Sequence, residues 1–232
     1  MKPICCLVLL SLVLPVGQLC AQYHNDPIPE HETFTIQSER LGESRMINVW
    51  FPNEYITSSE PLPVLYMPDG GVDEDFPHVA NTLADLIREK KIEPLILVGV
   101  ENTQRRRDMS GPTNVEKDKE IAPVVGGSEQ FRAFIGDELF AEIDRRYRIA
   151  DMRGIIGESL AGLFITETLL LKPCMFDFYI AFDPSLWWND RYLIKTACES
   201  LDSFPGSPKV FWFAGSNTEQ IFENVADFAL VL

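Results

Sequence analysis

Gly154-Ile155-Ile156-Gly157-Glu158-Ser159-Leu160-Ala161-Gly162 sets a serine between two apolar segments of different kinds. Gly154 to Gly157 is a short apolar run, and Leu160 to Leu171 is apolar nearly all round. Such a run fits a strand buried on both faces, and a helix apolar on every side has to be buried too. Ser159 therefore stands at a corner between a buried strand and a buried helix. A tight strand-turn-helix corner pushes a serine hydroxyl out at the top of the sheet, and small neighbours let the backbone turn. The match is G-x-S-x-A-G, with Ala161 at the usual second glycine and Gly162 behind it. A bare motif of this kind fits a helix-capping serine as well. The buried strand before it and the buried helix after it favour a nucleophile, with the helix N-terminus helping to hold developing negative charge.

Outward from this corner the same pattern repeats. Val64 to Met67, Leu95 to Val100, Phe178 to Phe182 and Val210 to Ala214 are continuous apolar runs, as expected of a parallel sheet. Helical stretches lie between them over 79–91, 129–148, 160–171, 191–201 and 219–232, the second with a stripe at Phe131, Phe134, Ile135, Leu139 and Ile143. Thr33 to Ser38 and Arg45 to Phe51 alternate and are joined across Gly42, which predicts an antiparallel hairpin. The expected fold is α/β: a mostly parallel sheet with an N-terminal antiparallel hairpin, in one domain over 33–232. Residues 101–127 are long, polar and contain Pro and Gly, as a functional or mobile loop would be.

An oxyanion hole needs two backbone N–H groups. Leu160, directly after the nucleophile, supplies one. Met67-Pro68-Asp69-Gly70-Gly71 follows a strand and offers Gly71 as the other, with a glycine pair where the backbone approaches a substrate closely. An ordinary glycine turn, shaped by Asp69, is the plainer account of that loop. Loops at the C-terminal ends of parallel strands line the site, which brings in Arg105, Arg106 and Arg107 as grips for an anionic group. Trp187 and Trp188 enter as a platform for a planar or sugar ring. A solvated charge run and lid packing are the alternatives for these two groups.

Four segments resemble the esterase family of α/β-hydrolases. They are Leu65 to Gly71, Glu101 to Asp108, Gly157 to Gly162 and Phe182-Asp183-Pro184-Ser185-Leu186-Trp187-Trp188-Asn189, in the family's order. The family includes trilactone siderophore esterases, feruloyl esterases, S-formylglutathione hydrolases and mycolyltransferases. The likeness runs from Thr33 to about Leu232 and is greatest to the exported, siderophore-esterase-like branch. It implies the α/β-hydrolase fold, a small-molecule ester as substrate, no cofactor, and an acyl-enzyme on Ser159. An acyltransferase or an inactive binding domain of the same family is the alternative. The family order is Ser, acid, then His on a loop after the last strand. Glu219 is the nearest carboxylate after Val210 to Ala214 and is the expected acid; Asp183 is an alternative. The three histidines, His24, His31 and His78, all precede Ser159. The expectation is therefore that the last strand, the His loop and the final helix are missing and that activity is impaired, with His78 a weak substitute pointing to solvent.

The N-terminus reads as a cleaved secretory signal over 1–21, with Lys2, an apolar Ile4 to Leu14 and a cut after Ala21, followed by a polar lead-in over 22–32. A lipid anchor at Cys20 is the weaker alternative. The expectation is a secreted or periplasmic protein with no membrane span after cleavage. The formal net charge of -15 argues against nucleic acid and anionic membranes as partners. Of five cysteines, Cys174 and Cys198 remain in the mature chain, and spacing leaves open whether they form a bridge or two free thiols. The Cys and His spacing fits no metal site.

Overall fold

In the computed structural model, residues 26–202, 204 and 208–232 are described, the side chain of Glu219 excepted; the expected signal and His24 lie outside the described residues. β1 (Glu32–Ser38) and β2 (Glu43–Trp50) form the antiparallel hairpin. Gly42 turns it at φ 67°, and its N–H donates to Ser38 O at 3.0 Å. The left-handed conformation suits glycine because it has no Cβ to clash.

The chain continues through α1 (Asn53–Thr57), β3 (Leu62–Pro68), α2 (Phe76–Arg88), β4 (Ile96–Val100), α3 (Arg105–Asp108) and α4 (Glu116–Ile121). Then follow α5 (Ser128–Phe134), a π turn (Ile135–Leu139), α6 (Phe140–Arg146), β5 (Ile149–Glu158) and α7 (Leu160–Leu171). Last come β6 (Phe178–Phe182), α8 (Trp188–Asp202), β7 (Val210–Ala214) and α9 (Glu219–Val231). The sheet order is β1-β2-β4-β3-β5-β6-β7, antiparallel from β1 to β4 and parallel from β4 to β7.

Alternation along the strands builds two apolar layers. Leu65, Met67 and Leu97 face α2 and its Phe76, Ala80 and Leu83. Val64, Tyr66, Val98, Ile155 and Tyr179 belong to the other layer, with Phe131, Phe134, Phe164 and Ile165 of α5 and α7. Helix α7 is buried along most of its length, as its lack of a polar face requires. The parallel strands bring the ends of β3, β4, β5 and β6 to one rim of the sheet.

Four local outcomes differ from, or decide between, the sequence expectations. The polar segment 101–127 folds into α3 and α4 and buries Asp108, Ser110 and Asp118. The stretch expected as one helix over 129–148 contains the π turn. α8 begins at Trp188 rather than Arg191, and Asn189, Asp190 and Arg191 are left-handed (φ 49°, 52° and 62°). Cys174 and Cys198 are free and exposed, so the open question of a bridge resolves to two thiols.

Candidate active site

Ser159 joins β5 to α7 with φ 61° and ψ -115°, a combination costly for a residue with a Cβ. The surroundings fix it from both sides. Its N–H donates to Phe182 O (3.0 Å), and its carbonyl accepts from Leu163 (2.9 Å) and Ser185 (3.1 Å). The β6–α8 loop thus clamps the elbow. Buried Ser185 also sets its hydroxyl 3.5 Å from Ser159 Oγ.

The small residues of the motif have separate reasons. A Cβ at Gly157 would lie 2.6 Å from Ala161 Cβ, and one at Gly162 would lie 2.8 Å from Phe182 O and 3.0 Å from Pro184 Cα. Alanine is therefore tolerated at 161 because glycine stands at 157, while the close passage of the β6–α8 loop needs glycine at 162.

The strain is shared along the rim. Asp69 follows the end of β3 at φ 57°, and Asp183 follows β6 at φ 44°. With Ser159, three neighbouring strands each end on a left-handed residue that is not glycine. Such conformations persist where the surroundings over-determine them, and they concentrate at functional sites. Asp183 is held by its N–H to Ala214 O (2.8 Å) and by Oδ1 accepting from Ser216 N–H (2.5 Å). Sequence reading missed this row; only the aspartates after Pro68 and Phe182 hint at it, since Asp tolerates the left-handed region better than most residues.

Leu160 opens α7, so its N–H has no acceptor within the helix. Gly71 is not an open donor: its N–H donates to Glu74 Oε2 at 2.7 Å. The first glycine of the pair has a packing role of its own. A Cβ at Gly70 would lie 2.2 Å from Val100 N and 2.3 Å from Gly99 Cα, so Gly70 lets this loop lie on the end of β4. Gly70 N–H donates to Val100 O there (2.9 Å), and Gly70 O accepts from Asn48 Nδ2 (2.8 Å).

Arg105 is near the rim but committed. Its Nε and Nη2 fork onto Asp69 (2.6 and 2.8 Å), and Nη2 reaches Glu158 O at 3.5 Å. Arg106 is exposed and donates to Ile121 O, and Arg107 pairs with Glu43 and Asp108 (2.7 Å each). Trp187 is half-buried, its ring 5.9 Å from that of Trp188. Trp188 is 5% exposed and donates Nε1–H to Gly111 O (3.1 Å), which makes it a core residue tying α8 to the 101–127 segment. Glu219 is the first residue of α9, and its side chain lies outside the described part.

On the α2 side of the rim a cavity of about 190 Å³ is lined by Met67, Asp75, His78, Gly157, Glu158 and Phe182. Burial, then the charges of Asp69 and Glu158, push the Asp75 carboxyl up to about 6, against the pull of Arg105. His78, in the first turn of α2, is half exposed and sets Nδ1 2.7 Å from Asp26 Oδ2. His31 lies elsewhere, with Nδ1 2.8 Å from Pro29 O and its ring edge-on to Phe76. Among the described residues no group of three His, Cys, Asp or Glu side chains gathers as a metal site. None of the described helices is long and apolar enough to cross a membrane.

A parallel sheet covered by helices, with a strained serine between a strand and a buried helix, defines the α/β-hydrolase fold. Residues 38–224 match the family described as Putative esterase, and the chain belongs to that family. It is 35% identical over 153 residues to the ferri-bacillibactin esterase BesA of Bacillus subtilis, covering 57% of this chain and 51% of that protein. It is 29% identical over 185 residues to a siderophore triacetylfusarinine C esterase of Aspergillus fumigatus, covering 74% and 61%. The chain thus matches about half to three-fifths of the length of these relatives. In structure it is similar to the BES protein of Bacillus cereus, with TM-score 0.74, 20% identity and coverage of 90% and 84%. An IroE-like serine hydrolase of Shewanella oneidensis gives TM-score 0.71, 23% identity and coverage of 87% and 79%.

Proposed function

We propose that the chain cleaves carboxylic esters through an acyl-enzyme on Ser159, and that its substrate is an ester-linked siderophore. The observation that carries the reading is the left-handed Ser159 elbow at the N-terminus of α7, in a member of an esterase family. The names of the two sequence relatives supply the substrate class. Ser159 Oγ attacks the ester carbonyl as its proton passes to a base. Leu160 N–H and, once released from Glu74, Gly71 N–H hold the oxyanion, the alcohol leaves with the proton from the base, and water releases the acid. Glu219 is proposed as the carboxylate partner of the base. Trp187, half-buried on the rim, is proposed to meet a planar part of the substrate, whereas Trp188 and Arg106 are occupied elsewhere. Export to the periplasm or beyond, on the strength of the leader over 1–21, belongs to the same proposal.

The test is turnover of p-nitrophenyl esters and of a trilactone siderophore by the full chain, followed by p-nitrophenolate release and by the mass of the linear product. Loss of both in Ser159→Ala supports the reading, and equal rates in parent and variant contradict it. One observation favours a second reading, a domain that binds the ester without turning it over. The side chain set against Ser159 Oγ among the described residues is the hydroxyl of Ser185, which is no base at neutral pH. Binding of the siderophore without linear product would select that reading.

A further inference from the structure

Glu74 makes an unusual set of contacts for a loop carboxylate. Oε2 accepts the Gly71 N–H at 2.7 Å and lies 3.4 Å from Asn102 N, while Oε1 accepts Asn102 Nδ2 at 2.7 Å. The Glu74 N–H returns to Gly71 O at 3.0 Å, so the two residues close a tight turn on each other. The side chain can take this position because residue 71 has no Cβ: one there would sit 2.8 Å from Glu74 Oε2 and 3.0 Å from Glu101 Cγ. The donor expected to meet an ester oxyanion thus already holds an anion from its own loop.

We infer that Glu74 is a gate on the oxyanion hole, closed over Gly71 N–H in the free protein and displaced when an ester carbonyl enters. The inference rests on the proposed roles of Ser159 and Gly71. Two features make displacement feasible. Glu74 itself lines an open cavity of about 270 Å³ with Val72, Asp73, Pro77, His78 and Asp26, which gives the side chain somewhere to go. Asn102 Nδ2 also bonds Asp69 Oδ1 (2.5 Å), so the loop keeps one of its ties when Glu74 leaves. Burial holds the Glu74 carboxyl above its ordinary range despite the Gly71 and Asn102 hydrogen bonds, and nearby Asp69 adds to the rise, so the closed state leaves its charge incompletely compensated.

The gate makes a substitution in the active-site loop increase reactivity, which a purely structural turn cap does not. The experiment is the second-order rate of Ser159 phosphonylation by a fluorophosphonate ester in the full chain, in Glu74→Gln and in Glu74→Ala. It is paired with the ¹H–¹⁵N resonance of Gly71 before and after phosphonylation. The expected result is a rise of about tenfold in Glu74→Ala, the factor equivalent to a charge-assisted hydrogen bond of about 1.4 kcal/mol, and a smaller rise in Glu74→Gln. The Gly71 resonance moves on phosphonylation of the parent as its acceptor changes from carboxylate to phosphonyl oxygen. If both variants label at the parental rate or more slowly and the Gly71 resonance is unmoved in the adduct, Glu74 is a turn cap and the gate is wrong. If parent and variants all fail to label, the nucleophile reading itself has failed, and the gate falls with it.

Discussion

Arg45 and Asp108 form a buried ion pair, and breaking it should cost more than removing it whole. Arg45 is 0% and Asp108 1% exposed in their side chains, and Nη2 of Arg45 bonds Asp108 Oδ2. Arg45 Nη2 also lies 2.7 Å from Glu43 Oε1, and the Arg107 guanidinium joins Glu43 and Asp108 at 2.7 Å each. The Arg45 guanidinium stands 5.4 Å from the centre of the Phe131 ring. Asp108→Leu leaves the buried Arg45 with only half of its counter-charge, for which a loss of about 3 kcal/mol is expected. Arg45→Met alone should cost about 2 kcal/mol, because Asp108 keeps Arg107. The double variant Arg45→Met, Asp108→Leu removes both charges at similar volume and should lie within about 1 kcal/mol of the parent. The coupling is then about 4 to about 6 kcal/mol. Urea unfolding followed by tryptophan fluorescence at constant m-value measures it. Single costs below about 1 kcal/mol that simply add would mean instead that the pair is hydrated or unformed.

Two further outcomes follow from the site. Gly70→Ala drives a Cβ into backbone at Val100 N (2.2 Å) and Gly99 Cα (2.3 Å), so it should destabilise the fold by about 3 kcal/mol, read as a fall in the urea midpoint. The Asp75 carboxyl, raised to about 6 from an ordinary 3.8, keeps its proton in the folded chain between those values while the unfolded chain releases it. Its contribution to stability is therefore lost as pH rises through about 6. Asp75 is partly exposed, so solvent screening reduces the effect to about 1 kcal/mol. Asp75→Asn should gain about that much at pH 8 and nothing at pH 3.5 in the same unfolding assay.

Apolar patterning made most of this fold readable, and pairing between polar groups hid the rest. Leu160 to Leu171 has one solution, a buried helix, and the structure places α7 over those residues. The runs at Val64 and Phe178 fitted inner strands, and they form β3 and β6 inside the sheet. Residues 101–127 read as a loop because they are polar and contain Pro and Gly, yet Asp108 and Asp118 within them are buried. Arg45 pairs with Asp108, and Asp118 Oδ2 accepts from Thr113 Oγ1 (2.7 Å) and Asn189 N–H (2.9 Å). No hydropathy period reports a carboxylate that is internal by virtue of its partner. The same limit applies at the site. The serine and its glycines were legible from spacing. The left-handed turns at Asp69 and Asp183, the commitment of Arg105 to Asp69 and the capture of Gly71 by Glu74 are three-dimensional facts with no local pattern. Trp188 looked like a substrate platform because tryptophan pairs serve as one; its indole N–H is spent on Gly111 O.

Under the proposed function the Ser159 elbow presents a nucleophile. Intact-mass and peptide analysis of the folded chain after exposure to a fluorophosphonate ester reads this without any natural substrate. One adduct per chain is expected, on the peptide containing Ser159, absent in Ser159→Ala and abolished by prior unfolding in urea. An unmodified chain, or an adduct spread over other serines and unchanged by unfolding, would contradict it.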